Sequence, residues 1–270
     1  MKSVGNPYVR FPSPTVIAHR GGGGLAPENS LLAFDQAVAM DGVHALEMDI
    51  HLSRDGKLIV AHDDDVDRMT NGTGLIREMT AAEVRQLDAG YHWTDDNGMT
   101  FPFRGHGHYL PTMDEIFERY PNHIINVDIK QHDQATVDAF VALIKRHNVQ
   151  DRMVVGSFDT KTVGRFRTML PEVATCASYW EVLSFFLLNK IGLSQFWRGS
   201  CVAFQISEFD DSGRLRVISE RFVRNLKVHN VQLYVWTVND SAEMSRLLDW
   251  GVDGIITDYP DRLLEVIGNK

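Results

Sequence analysis

TVIAHRGGGGLAPENSLLAFDQAVAM, residues 15–40, contains in order a strand, a loop and a helix. Thr15 to Ala18 is a short β-branched and apolar run, His19 and Arg20 end it, and four glycines follow. An apolar-periodic helix then runs from Ser30 to Met40, with Asn29 or Ser30 in the capping position. Strand, loop and helix in that order make one βα unit.

The same alternation recurs on either side of the next connection. Strand-like runs are Thr15 to Ala18, Ala45 to Leu52, Ile124 to Ile129, Met153 to Gly156, Val173 to Ala177, Ala203 to Ile206, Gln232 to Val238 and Gly254 to Thr257. Helical patterns lie between them: Ser30 to Met40, Thr112 to Tyr120, Gln134 to His147, Thr160 to Leu170, Ser219 to His229, Ser241 to Trp250 and Pro260 to Ile267. Eight parallel runs separated by helices predict an α/β fold, a (β/α)8 TIM barrel, as one catalytic domain over residues 1–270. One connection is too long. Residues 53–110 follow the second run where a βα loop takes about 2 to 6 residues, so they are expected to form a small inserted subdomain.

The chain has 270 residues, 44% hydrophobic and 23% charged, with 36 Asp and Glu against 27 Lys and Arg. The formal charge of -9 disfavours nucleic acid and other polyanions as partners. Cys176 and Cys201 cannot make a disulfide framework, so the chain reads as cytoplasmic. Met1 to Pro14 holds no apolar run resembling a signal peptide. Val182 to Trp197 is broken by Asn189 and Lys190 and falls short of the roughly 20 residues that span a bilayer, so no transmembrane segment is expected.

Barrel chemistry gathers at the C-terminal ends of the strands. Sorting the polar residues by that rule selects His19 and Arg20 after the first run, Glu47 and Asp49 late in the second, Asp128 and Lys130 at the end of the third, and Trp236 and Asn239 at the end of the seventh. Two apart on a strand, Glu47 and Asp49 share a face. Such a pair repels itself unless a cation intervenes, and oxygen ligands suit Mg²⁺ or Ca²⁺; Asp128 is the natural third ligand. The competing reading is a set of salt bridges inside the barrel.

The turn Arg54-Asp55-Gly56-Lys57 suggests a hairpin. With Asp55-Gly56 as a two-residue turn, paired numbers sum to 111 and His62 lies opposite Asp49, on the metal face. The glycine loop after Arg20 is expected to bring backbone amides to an anion, with the Arg20 fork beside it. Two histidines, a divalent cation, Arg20 and Lys130 suit phosphodiester cleavage: one imidazole takes a proton from the attacking hydroxyl and the other protonates the leaving alkoxide.

These pieces resemble the glycerophosphodiester phosphodiesterase family. The likeness runs through His19-Arg20-Gly21, Ala26-Pro27-Glu28-Asn29-Ser30, Glu47-Met48-Asp49, Ala61-His62-Asp63, Pro111-Thr112-Met113-Asp114-Glu115, Asn126-Val127-Asp128-Ile129-Lys130, Val235-Trp236-Thr237-Val238-Asn239 and Gly251 to Asp258. It implies metal-dependent hydrolysis of glycerophosphodiesters to sn-glycerol 3-phosphate and an alcohol. Carried over, His19 and His62 become the catalytic acid/base pair, and Glu47, Asp49 and Asp128 the metal ligands. Arg20 and Lys130 contact phosphate, Glu28 lies near the metal or the glycerol, and Trp236 walls the substrate. Asp128 stands where Glu is commoner. Asp63-Asp64-Asp65 reads as a solvated turn, with Asp63 as a partner for the His62 imidazole the alternative.

The apolar segment 179–197 is a second departure. As a lid for acyl chains it would make the chain a lysophospholipase D, releasing lysophosphatidic acid, with transient membrane contact. The plainer reading is a helix buried in the shell or an oligomer contact. A third reading, a non-catalytic phosphate- or lipid-binding barrel, is disfavoured because His19, His62, Glu47, Asp49 and an acidic residue at 128 are all present.

Overall fold

A computed structural model describes residues 5–10, 13–210 and 212–269. Its elements, in chain order, are β1 (Thr15–Ala18), α1 (Leu31–Ala39), β2 (Val43–Leu52), β3 (Leu58–Val60), α2 (Ala81–Val84), α3 (Met113–Arg119), β4 (Ile124–Ile129), α4 (Gln134–His147), β5 (Met153–Gly156), α5 (Thr160–Met169), β6 (Ala174–Thr175), α6 (Tyr179–Lys190), β7 (Ala203–Ile206), α7 (Glu220–Lys227), β8 (Gln232–Val235), α8 (Ser241–Asp249), β9 (Gly254–Thr257) and α9 (Pro260–Gly268). Side-chain caps start most of the long helices. Ser30 Oγ accepts from the Ala33 amide, and Thr112 forms a capping box with Glu115.

The parallel strands run in the order β6, β5, β4, β2, β1, β9, β8, β7. A parallel bridge between Cys176 and Ala203 brings the two ends together, and the Val202 amide donates to Thr175 at 3.0 Å there. Eight strands thus form the expected TIM barrel, with helices between them. The ninth, β3, pairs antiparallel with the outer end of β2.

Alternation along each strand separates two environments. Met48, Ile50, Val127 and Ile129 face the helices in one large apolar cluster. The inward positions of the lower barrel are apolar: Ile17, Ala45, Ile124, Val154, Ala174, Ala203 and Ile256 pack around Tyr8 and Tyr234. Further up the same inward rows the residues turn polar, Ala45 giving way to Glu47 and Asp49, and Ile124 to Asn126 and Asp128. The β2–β4 register sets Glu47 beside Asn126 and Asp49 beside Asp128. Alternation and register alone therefore bring two carboxylates from distant stretches side by side at the top.

Between β3 and α3 the chain holds α2 and a separate buried cluster of Ile59, Ala61, Val66, Met69, Ile76, Val84, Ala89 and Leu110. The hairpin register differs from expectation. Ile50 pairs with Val60 and Leu52 with Leu58, so paired numbers sum to 110. The turn has three residues, Arg54 to Gly56, with the Ser53 amide donating to Lys57 O at 2.8 Å and Gly56 in the left-handed region at φ 75°. Ser53 Oγ accepts from the Lys57 amide and donates to Asp55, which favours this longer loop over the two-residue turn.

The apolar segment is a two-faced helix rather than one buried shell element. Phe185 on α6 is fully buried against Trp197, Phe204 and Phe222, with ring centroids 5.5, 5.6 and 4.9 Å away. Trp180, Leu187 and Ile191, at helical spacing, remain exposed. Among the described residues no helix is long and apolar enough to cross a membrane.

Candidate active site

His19, Arg20, Glu47, Asp49, His62, Asp128, Lys130 and Trp236 all line one cavity of about 290 Å³ at the C-terminal mouth. Glu28 stands behind it, bonded to Arg20. The expected residues are thus brought together from five separate stretches of chain.

Arg20 lies two residues beyond β1 with its backbone in the left-handed region, φ 52° and ψ 31°. A non-glycine residue held there marks a constrained turn. The turn lets its amide donate to Glu47 Oε2 at 2.9 Å while its guanidinium reaches Glu28 at 2.9 Å and lies 3.3 Å from Asp49. The glycine loop departs from expectation. The amides of Gly22 and Gly23 donate to His19 O and that of Gly24 to Asp258 O, so they do not form an anion cradle. These glycines serve close packing instead: a Cβ on Gly21 would lie 2.9 Å from Ala33 and Phe34, and one on Gly24 would enter the Tyr259 ring.

Both imidazoles are oriented through Nδ1. His19 Nδ1 is 2.6 Å from Asp258 Oδ1, and His62 Nδ1 is 2.6 Å from Asp63 Oδ1. Each Nε2 is left for the cavity. His19 is buried, which would lower its pKa, but the hydrogen bond to Asp258 and the charge of Glu47 outweigh that and raise it above 6.5. Asn239 fixes Asp258 in turn, donating to Oδ2 at 2.7 Å and accepting from its amide at 3.0 Å. Although the observed register pairs Ala61 rather than His62 with Asp49, β3 stops at Val60 and the chain leaves the strand. The Ala61 amide donates to Asp49 O at 3.0 Å, and neutral His51 donates through Nε2 to His62 O at 3.1 Å. Those two contacts direct the His62 ring into the mouth.

The carboxylates stand beside the imidazoles on β2 and β4, with Glu47 Oε2 4.0 Å from His19 Nε2. Burial would raise Asp49, but Lys130 at 3.1 Å and Arg20 hold it low. Glu47 receives less compensation, and burial together with the Asp49 charge pushes it up to about 7. Lys130 bridges Asp49 and Asp128, 2.8 Å from the latter. Across the mouth and its surroundings six carboxylates, Glu28, Glu47, Asp49, Asp63, Asp128 and Asp258, face three permanent cations, Arg20, Arg68 and Lys130. This excess of negative charge favours a bound cation. The donors suit a hard divalent ion: three carboxylates, and beside Asp49 the buried Asn29 Oδ1 without a hydrogen-bond partner. Among the described residues no three His, Cys, Asp or Glu side chains stand in a ready-made coordination cluster.

The cavity is polarised. Charged groups hang from the ends of β1 to β4, whereas Phe158, Ala177, Tyr179, Val182, Ile206 and Trp236, supplied by β5 to β8 and their loops, form an apolar wall. The Phe158 and Trp236 rings meet edge-on at 5.6 Å, and Lys130 Nζ lies 5.5 Å from the Phe158 centroid.

The barrel and its mouth define a phosphoric diester hydrolase. Residues 19–262 match the glycerophosphoryl diester phosphodiesterase family, and the chain belongs to it. A glycerophosphodiester phosphodiesterase from Caldanaerobacter subterraneus subsp. tengcongensis is 31% identical over 257 residues, spanning 93% of this chain and 97% of that protein. The human protein named lysophospholipase D GDPD1 is 26% identical over 276 residues, spanning 94% and 86%. Among solved structures, an Oleispira antarctica phosphodiesterase in complex with the product sn-glycerol-3-phosphate is 27% identical, with a TM-score of 0.76 and coverage of 97% and 99%.

Asp258 and Arg68 are missing from the sequence-derived set. Asp258 directly follows β9, so the strand-end rule that selected the others reaches it too. Arg68 has no such signal, because its place depends on how the segment after β3 folds back.

Proposed function

We propose that this chain hydrolyses small glycerophosphodiesters to sn-glycerol 3-phosphate and an alcohol, using a divalent cation and two histidines. The observation that carries the reading is the pair of imidazoles, each held at Nδ1 by a carboxylate 2.6 Å away, lining one cavity together with Arg20, Lys130 and a carboxylate group. The solved relative holding sn-glycerol-3-phosphate supports the same product here.

Glu47, Asp49 and Asp128 would hold the cation, Mg²⁺ or Ca²⁺. When bound, it supplies positive charge to the phosphoryl oxygens. Arg20 and Lys130 bind and orient the phosphate, and Glu28 fixes the Arg20 fork. His19, whose protonated form is favoured, gives its Nε2 proton to the leaving alkoxide. His62, its Nδ1 turned to Asp63, takes the proton of the attacking water at Nε2. Trp236 and the apolar wall exclude water from one side of the reacting phosphate. Substrate is a small molecule, and the cysteine content favours a cytoplasmic location.

The test is release of sn-glycerol 3-phosphate from glycerophosphocholine with and without a chelator. No release refutes the reading, and chelator-insensitive release removes the metal from it.

A second reading, lysophospholipase D action, draws on the apolar wall, where Tyr179 and Val182 lead from the cavity onto α6 and its exposed Trp180, Leu187 and Ile191. An acyl chain could follow that path, with α6 touching a lipid surface. A higher kcat/KM for lysophosphatidylcholine than for glycerophosphocholine supports it, and the reverse preference rejects it.

A further inference from the structure

Arg68 lies between β3 and α2 and does not line the cavity, yet its guanidinium joins two parts of the site that the chain otherwise keeps apart. Nε donates to Asp63 Oδ2 at 2.6 Å, Nη1 donates to Glu28 Oε2 at 2.9 Å and Nη2 donates to Glu28 Oε1 at 2.8 Å. The remaining Asp63 oxygen holds His62 Nδ1, and Glu28 Oε1 also accepts from Arg20 Nη1. His62, Asp63, Arg68, Glu28 and Arg20 therefore form one unbroken run of charged contacts from the imidazole to the guanidinium that faces the phosphate.

We propose that Arg68 is a positioning residue that couples the two: its planar fork sets the rotamers of Asp63 and Glu28 together, and through them the orientation of His62 and of Arg20. The inference rests on the phosphodiesterase reading above. Only arginine offers donors on one rigid plane for two carboxylates at once; a lysine supplies a point charge without that geometry. Asp63 accordingly stays charged: burial would raise its carboxyl, yet the bonds from Arg68 and His62 hold it down at about 2. An ionised Asp63 keeps the His62 proton on Nδ1 and leaves Nε2 as the acceptor. The Arg68 side chain is 51% exposed, and ion pairs that exposed contribute little to folding. Its contacts thus matter for geometry at the mouth far more than for holding the fold together.

The experiment compares the parent with R68M, R68K, D63N and the R68M/D63N double variant on glycerophosphocholine, with melting temperatures measured alongside. R68M is expected to lower kcat about 10- to 100-fold, as removal of an orienting partner does, and to raise KM, since Arg20 loses its support, while the melting temperature barely moves. R68K is expected to stay impaired. D63N is expected to add little to R68M, because both changes break the same run of contacts. Independently of turnover, the imidazole ¹⁵N spectrum should show His62 protonated at Nδ1 in the parent and mixed between Nδ1 and Nε2 in R68M. Parent-like kcat and KM in R68M or R68K, full additivity with D63N, or an unchanged His62 tautomer would overturn the coupling. Should R68M fail to fold, R68K decides by the same readouts. A parent that cleaves no diester strikes the hydrolysis reading instead, and the tautomer comparison then still tests Arg68.

Discussion

Replacing Asp258 with Asn keeps the shape of the contact with His19 Nδ1 and removes its charge. The contact is 2.6 Å long, with the two side chains 14% and 25% exposed, so solvent weakens it little. A hydrogen bond to a charged group contributes about 1.5–3 kcal/mol, so removing the charge of Asp258 lowers the His19 pKa. The sign follows from linkage. His19 is raised in the folded chain, so its contribution to stability is present below pH 6.5 and is lost as pH rises through the folded pKa; Asp258→Asn removes most of that contribution. As the acid for the leaving alkoxide, His19 must be protonated. The alkaline limb of the pH–rate profile should therefore move toward acid, and kcat should fall by about 10- to 100-fold at pH 8 and by less at pH 6. The assay is kcat and kcat/KM on glycerophosphocholine from pH 5 to 9, with thermal unfolding as the control for folding. An alkaline limb that stays in place, with kcat within about twofold of the parent at pH 8, would refute the role of His19 as the acid.

Other outcomes follow from the same contacts. Burial and the Asp49 charge push Glu47 up to about 7 in the folded chain against 4.5 when unfolded, so stability falls as pH rises through that window, by about 3 kcal/mol for metal-free protein. Mg²⁺ or Ca²⁺ should consequently raise the melting temperature more at pH 8 than at pH 5, and an equal rise at both would count against Glu47 as a ligand. Gly21→Ala combines a positive φ of 85° with a Cβ 2.9 Å from Ala33 and Phe34. It should cost about 2–5 kcal/mol in urea unfolding, and a neutral result would show that the loop re-forms freely. Phe185→Ala should cost about 3–5 kcal/mol because the ring is fully buried within an aromatic cluster. A loss under about 1 kcal/mol would mean that the α6 inner face collapses to fill the gap.

Most of the barrel was legible because each βα unit states its own local pattern. The β2 row Ala45, Glu47, Asp49 and the β4 row Ile124, Asn126, Asp128 reveal by alternation alone which side chains face inward and where polarity begins. His62 was found, but through a register one residue out. The Ser53 side chain selects a three-residue loop over the two-residue Asp-Gly turn, and what returns the ring to the mouth is the end of β3 and the His51 contact. Glycine repetition suggested an anion cradle, whereas close packing against Ala33 and Tyr259 explains the small residues. Composition marked 179–197 as apolar without separating the side of α6 that packs on Phe204 from the side that does not. Arg68 was out of reach, since its two carboxylate partners lie on different segments and no periodicity links them.

Because the acid–base groups descend from one arc of the strand circle and the greasy wall from the other, changes to the two need not interfere. Loops after β5 to β7 could be exchanged to accept a bulkier or more water-loving leaving group while the proton-transfer apparatus stays untouched, whereas the loop after β8 carries Asn239 and with it the support of Asp258. For anyone redesigning this scaffold, selectivity and turnover should prove to be separate dials.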